Sequence, residues 1–370
     1  MKQRSSSKLL ILLFAVFALA VASCASSDSD GGSDGGGSET AATCQGTPGE
    51  KQEAADLGGS DDPDGSGKKV GLVFDIGGKD DNSFNESAYN GLLAAKDNMG
   101  VEIKALEPNT DGSNREDLLR QLAEDGYGLI IGVGFNFADP LTTVAKDYPD
   151  TDFGIVDSVV EEDNVASITF AEEQGSFLVG AIAAQSTQTG TVGFVGGVEQ
   201  DLIKKFEAGF TAGVKEVKSD ADVEVKYISP DGDFSGFNDP AKGKTIASGL
   251  YDAGADVVFH ASGGSGSGVF KAAVDADRLA IGVDSDQYFQ VDEPEQKCML
   301  SSMLKRVDVG VYDTIADYAG NGFKSGVQVF DLANGGIDYS QAGGQVKDPA
   351  QIDDLKQQII DGDIEVPTKP

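Results

Sequence analysis

The stretch FDIGGKDDNSFN, Phe74 to Asn85, sets an aspartate at the end of an apolar run. Two glycines follow, and then Asp81, Asn82, Ser83, Phe84 and Asn85 where a helical pattern begins. Small polar groups around one aromatic at a strand mouth suit three chemistries: an anion cradle, acid–base work by carboxylates, or recognition of a flat polar molecule by stacking and hydrogen bonds. Asp80 with Asp81, and Asp284 with Asp286, are carboxylate pairs that could exchange protons or hold Mg²⁺. Nothing completes a catalytic set around them. The chain has one histidine, His260, and no G-x-S-x-G, H-E-x-x-H or C-x-x-C. The GGSGSG run after His260 lacks the Lys-Ser/Thr of a phosphate loop. A binding protein without cofactor or metal is therefore expected, and not an enzyme. Plainer roles exist for single residues. Phe84 could staple a helix start, Asn82 or Ser83 could cap it, and Asp75 and Asp284 could cap neighbouring helices. His260 reads as a packed residue at the end of an apolar strand. Phe206 and Phe210, four apart on one helix face, read as core.

These residues need elements to carry them. Short β-branched runs predict strands over 70–75, 101–106, 128–133, 152–156, 165–170, 191–195, 223–228, 256–260, 279–284, 299–304 and 328–331. Helical spacing predicts helices over about 84–98, 113–124, 137–147, 172–187, 201–218, 240–253, 266–276, 307–320 and 350–361. Such alternation means an α/β protein of parallel sheets covered by helices. Continuously apolar strands such as GLIIGVG and DVVFHAS fit that reading. The pattern repeats, once from KKVGLVFDIGG and again from TGTVGFVGGVEQ. The polar groups Asp75, Asp157, Gly263 and Asp284 fall at strand ends, where open parallel sheets bind ligands.

The chain opens with a basic start, an apolar run from Leu9 to Val21, and Val21-Ala22-Ser23-Cys24. This is a secretory signal over 1–23. Its end resembles a lipobox, which would make Cys24 a lipidated N-terminus and anchor the protein on the extracytoplasmic face of the cell membrane. Residues 24–68 are rich in Gly, Ser and Asp and read as a flexible tether. The run DDPDGSG within it lacks the ligand spacing and closing Glu of a calcium loop. A formal charge of −34 argues against nucleic acid or an anionic membrane surface as partner. Cys44 and Cys298 are open to a disulfide in an exported protein, or to two free thiols.

The body resembles the BMP, or PnrA-like, family of lipoproteins. The resemblance rests on VGLVFDIGGKDDNSFNESAYNGL, FGIVDSVV, ASITFAEEQGSFLVGAIAA, GTVGFVGGVEQDLIKKFEAGFTAGV, DFSGFNDPAKGKTIASGLYDAGADVVFHASGGSGSGVF, LAIGVDSDQ and MLSSMLKRVDVGVYDTI, in order across 69–370. It implies a type I periplasmic-binding-protein fold, two doubly wound parallel-sheet lobes joined by a hinge. The expected lobes are 69–165 with about 280–305, and 166–279 with about 306–370. It implies a monomeric substrate-binding protein of an ABC importer, docking on a permease and holding a purine nucleoside. The residues implied for the ligand are Asp75, Phe84, Asn85, Asp157, Phe237, Gly263, Asp284 and Lys305. The family's S-F-x-D-P-A-K-G-K element has Gly236 in place of the usual serine. Phe84 and Phe237 would sandwich the base. Asn85 and Asp157 would read its edge, and Asp284 with Lys305 beside it would hold the ribose. A surface sensor for another small polar ligand, or a nucleoside-processing enzyme, are the alternatives.

Overall fold

The computed structural model describes residues 41–48 and 57–370. The signal and lipidation expectations, over 1–23 and at Cys24, lie outside the described residues. The first half of the body contains β1 (Lys69–Val73), α1 (Phe84–Met99), β2 (Glu102–Leu106), α2 (Arg115–Glu124), β3 (Leu129–Gly132), α3 (Ala138–Asp147), β4 (Asp152–Val156) and β5 (Val165–Phe170). Then follow α4 (Glu172–Ser186), β6 (Thr191–Val198), α5 (Asp201–Val217), β7 (Asp222–Ser229), α6 (Pro240–Asp252), β8 (Val257–Ala261), α7 (Gly266–Ala276) and β9 (Leu279–Asp284). The chain closes with α8 (Glu293–Gln296), β10 (Met299–Lys305), α9 (Val307–Ala319), β11 (Gly326–Phe330), β12 (Ile337–Tyr339) and α10 (Pro349–Asp361). Every predicted strand and helix has its counterpart. The three-residue β12 and one-turn α8 carried no apolar period to betray them.

The strands form two six-stranded sheets, in the orders β11-β5-β4-β3-β1-β2 and β12-β10-β9-β8-β6-β7. All pairings are parallel except β10 with β12. Central strands such as LIIG and VVFHA are buried along their whole length, as helices on both faces require. In each sheet the strand order reverses once, at β1/β3 and at β6/β8, and a crevice opens there at the carboxyl ends.

The lobe boundaries differ from expectation. Residues 280–305 were expected with the first lobe, yet β9 and β10 belong to the second sheet, where β9 pairs with β8 from Val257↔Leu279 onward. Residues 307–330 were expected with the second lobe, yet β11 pairs with β5 in the first sheet. α9 packs on α1 so closely that a side chain at Gly91 would overlap the Asp308 carbonyl. The chain thus passes between sheets after Phe170, after Lys305 and after Phe330. Hydrogen bonds tie the crossings: Ala171 N donates to Phe330 O at 2.9 Å and Arg306 N to Gly336 O at 2.9 Å.

The described parts of 24–68 are not free tether. Cys44 forms a disulfide with Cys298, Ala42 N donates to Asp256 Oδ2 at 2.9 Å, and Gly46 N to Lys297 O at 2.9 Å. Farther on, Tyr312 donates its hydroxyl to Asp62 Oδ2 at 2.7 Å and Gly65 N donates to Met99 O at 2.8 Å. A polar segment that builds no core can still be held by its backbone and one covalent link. The disulfide closes a loop of 254 residues in sequence separation. Its removal, in C44A/C298A, is expected to lower the unfolding free energy by about 2–5 kcal/mol. Denaturant titration of the oxidised protein and the variant checks this; coincident midpoints would refute it. Among the described residues, no helix is long and apolar enough to cross a membrane.

Candidate functional site

The two switch-point crevices face one cavity, with about 650 Å³ of empty space including its open mouth. All eight residues singled out from sequence line it: Asp75, Phe84, Asn85 and Asp157 from the first lobe, and Phe237, Gly263, Asp284 and Lys305 from the second. Phe135, Asn136, Phe206 and Ser262 line it too and were not singled out. Phe135 and Asn136 lie just past the end of the apolar strand run GLIIGVG, at the kind of position where open parallel sheets bind ligands. Phe206 had no such signal, because a cavity aromatic and a core aromatic share the same helical spacing.

The loop after β1 is built by its own polar groups. Asp81 accepts from the backbone N–H of Ser83, Asn85 and Glu86 at 3.0, 2.9 and 3.1 Å, so it caps α1. Ser83, one of the two caps that the sequence offered with Asn82, makes no side-chain cap bond and instead donates to Asp284 Oδ2 at 2.5 Å. Burial pushes the Asp81 carboxyl up to about 6 against those backbone bonds. Asn85 spends its amide inside the loop: Oδ1 accepts from Asp75 N at 2.9 Å and Nδ2 donates to Asp81 at 2.9 Å. The structure therefore gives Asn85 a scaffolding part rather than the free base-reading edge expected of it. Asp75 is held by Arg115 Nη2 at 2.6 Å and Asn136 Nδ2 at 3.0 Å.

Lys305 is the electrostatic centre. It is 2% exposed and sits 2.5 Å from Asp157 Oδ2 and 3.4 Å from Glu172 Oε1, with the rings of Phe84, Phe170 and Phe206 within 5.1–5.6 Å. It was expected beside Asp284 as a donor to the ligand; its ion pair is with Asp157, because β10 and β4 bring their carboxyl ends together. Burial opposes the Lys305 charge, but Asp157, Glu172 and Asp284 outweigh it and raise its pKa. Burial pushes the Asp157 carboxyl up to about 6, against Lys305 and with help from Glu172 and Asp284. Burial likewise raises Asp284. Asp157 and Asp284 both hold φ of +64°. Such a backbone is strained for a residue with a side chain and is commonly kept where a group must be aimed. Asp157 Oδ1 is buried without a hydrogen-bond partner.

Phe135 of the first lobe meets Phe237 of the second edge-on at 6.5 Å between centroids, and Phe234 at 5.6 Å. His260 is fully buried behind the cavity, between Ser262 and Gln287. Ser262 and His260 stand like nucleophile and base, but the third partner is a neutral amide rather than a carboxylate, so an imidazolium has nothing to stabilise it. Among the described residues, no cluster of His, Cys, Asp and Glu could hold a metal ion.

Comparison with known proteins agrees with this geometry. Residues 68–369 match the family model described as ABC transporter substrate-binding protein PnrA-like. The ABC transporter nucleoside-binding protein BmpA of Lactococcus lactis is 38% identical over 323 residues, 81% of this chain and 89% of that protein. The CD4+ T-cell-stimulating antigen of Listeria monocytogenes is 38% identical over 326 residues, 81% of this chain and 88% of that protein. A solute-binding protein of an ABC transporter system from Aeropyrum pernix superposes with a TM-score of 0.72 at 28% identity, over 81% of this chain and 93% of that one.

Proposed function

This chain belongs to the PnrA-like family of ABC transporter substrate-binding proteins, which are binding components and not enzymes, and we propose that it captures a purine nucleoside for import. It does so as a monomer, held to the extracytoplasmic face of the membrane by lipid on Cys24. The ligand enters the open cleft, and the lobes close by bending where the chain crosses between the sheets. One observation carries the reading: a buried carboxylate oxygen, Asp157 Oδ1, without a partner, in a cavity walled by Phe84, Phe135, Phe206 and Phe237. A buried acceptor is costly until something donates to it. A nucleoside supplies the donors, on its base edge and ribose, and a flat face for the rings at about 1–3 kcal/mol per stacked base. Asp284 and Asp75 offer further acceptors for the ribose hydroxyls. The nucleoside-binding relative supports the same class of ligand.

Titration calorimetry tests this, after the mature chain is unfolded and refolded oxidised to strip carried-over ligand. Adenosine, guanosine and inosine are expected to bind without turnover and uridine weakly; flat heats for all four would overturn the reading. Affinity is also expected to fall with acid. Asp157 faces Lys305, Glu172 and Asp284, with Lys205 behind Glu172 at 3.1 Å. Protonation near its pKa of about 6 converts one acceptor oxygen to a donor. Affinity should then drop by about tenfold per pH unit below that value. D157N should bind weakly at every pH and show no such slope. A wild-type slope retained in D157N would exclude Asp157 as the group responsible.

A further inference from the structure

The side-chain amide of Gln287 has its two ends fixed by backbone. Its Oε1 accepts from Val283 N at 2.8 Å, and its Nε2 donates to the carbonyl of Asn82 at 2.8 Å. A backbone N–H only donates and a carbonyl only accepts, so the amide cannot be turned over. His260 Nε2 lies 3.1 Å from the same Oε1 and must carry its proton towards it. The ring is fully buried, and burial pushes its pKa down to about 4, so it is neutral. Nδ1 is then bare and accepts from Ser262 Oγ at 3.2 Å. A neutral imidazole has one proton, and both bonds follow from where it sits. The ring has no room to turn: a side chain at Gly266 would overlap it, and Phe270 meets it edge-on at 5.1 Å.

The two ends of this chain of bonds have different owners. Ser262 lines the cavity, and Asn82 belongs to the opposite lobe. Flanking bonds cross at the same place, Ser83 to Asp284 at 2.5 Å and Gln290 Nε2 to Glu86 Oε2 at 3.1 Å. We propose that Ser262, His260 and Gln287 form a relay of fixed polarity. It closes the second lobe onto Asn82 and presents Ser262 to the bound ligand only as a hydrogen-bond acceptor. The ligand must then place an N–H or O–H at Ser262, a requirement that rests on the binding reading above. His260 is a positioning residue in this relay and touches no ligand.

The single histidine makes the test direct, because its side-chain nitrogen signals need no assignment. Nitrogen-15 spectra of the ligand-free wild type are expected to show a protonated Nε2 and a bare Nδ1 at neutral pH. Q287E keeps the size and the bonds to Val283 and His260 but turns an acceptor towards the Asn82 carbonyl. Its ligand-free radius of gyration by small-angle scattering is expected to rise. Its affinity for adenosine, guanosine and inosine should fall at least tenfold, chiefly through faster release. A proton on Nδ1, or Q287E with unchanged radius and affinity, would overturn the relay. If wild type binds none of these nucleosides, the ligand reading fails while tautomer and radius still decide the relay. If Q287E does not fold, the wild-type tautomer decides it alone.

Discussion

Replacing Lys305 with methionine is expected to lower stability by about 3–5 kcal/mol at neutral pH and to abolish ligand binding. The size follows from removing one partner of a buried ion pair, which strands the other. Here more than one carboxylate is stranded. Lys305 touches Asp157 and Glu172 directly, and Asp284 acts on it through space. Lys205, at 3.1 Å from Glu172, is the second cation of the group, and its side chain is 34% exposed. Methionine would fill the space among Phe84, Phe170 and Phe206 with a soft apolar group, so packing loss is small and the electrostatic loss stands alone.

The pH dependence separates that cause from a packing defect. Without the ammonium, the folded-state pKa of Asp157 rises beyond about 6, while its unfolded value stays near 3.8. The folded state then holds more protons than the unfolded state between those values. Stability therefore falls as pH rises through the window and is regained as pH drops. The K305M deficit, read by denaturant titration, should shrink as pH drops from neutral towards about 6 and stay level below it, where Asp157 is protonated in both folded proteins. A deficit constant with pH would assign the loss to packing, and no deficit would refute the charge cluster.

The same cluster shows what a linear sequence conceals. The place of Asp75, Asp157 and Asp284 in the cavity wall was legible because each follows an apolar parallel strand, and such strand ends converge on a crevice. Which carboxylate would meet Lys305 was not legible. Asp157 lies 148 residues from Lys305 in the chain and follows a strand of the other sheet, so only the facing of the two lobes brings them together. Lobe membership was hidden for a like reason. β9 and β10 are buried strands and β11 an exposed edge strand, yet nothing in a strand's own residues names the sheet it joins. The bonds that Asn85 makes within its loop were not legible, since an amide's partners depend on a loop whose turns come from Asp81. The segment around Cys44 was read from composition as tether, and the bridge to Cys298, one of the two states left open for these thiols, is what holds it to the body.

Replacing Gly213 with alanine is expected to cost about 1–3 kcal/mol and to weaken ligand binding with it. α4 and α5 pack at a distance that only glycine permits. A side chain at Gly213 would overlap the Phe177 carbonyl, one at Gly209 the Glu173 carbonyl, and one at Gly180 the Phe210 carbonyl. These obstacles are helix backbone and cannot swing aside, so the helices must part. Both helices reach the site. α4 begins with Glu172, a partner of Lys305, and α5 carries Leu202, Ile203 and Phe206 into the cavity wall. A shift of the pair therefore moves one wall of the site against the other. Gly249 on α6 is the internal control, because a side chain there meets nothing within 4 Å. G249A should stabilise by about 0.5–1 kcal/mol, the ordinary gain of alanine over glycine inside a helix. Melting curves and nucleoside titrations of the two variants decide the matter. Equal melting temperatures for G213A and G249A would show that α4 and α5 have slack, and would remove the link between their packing and the site.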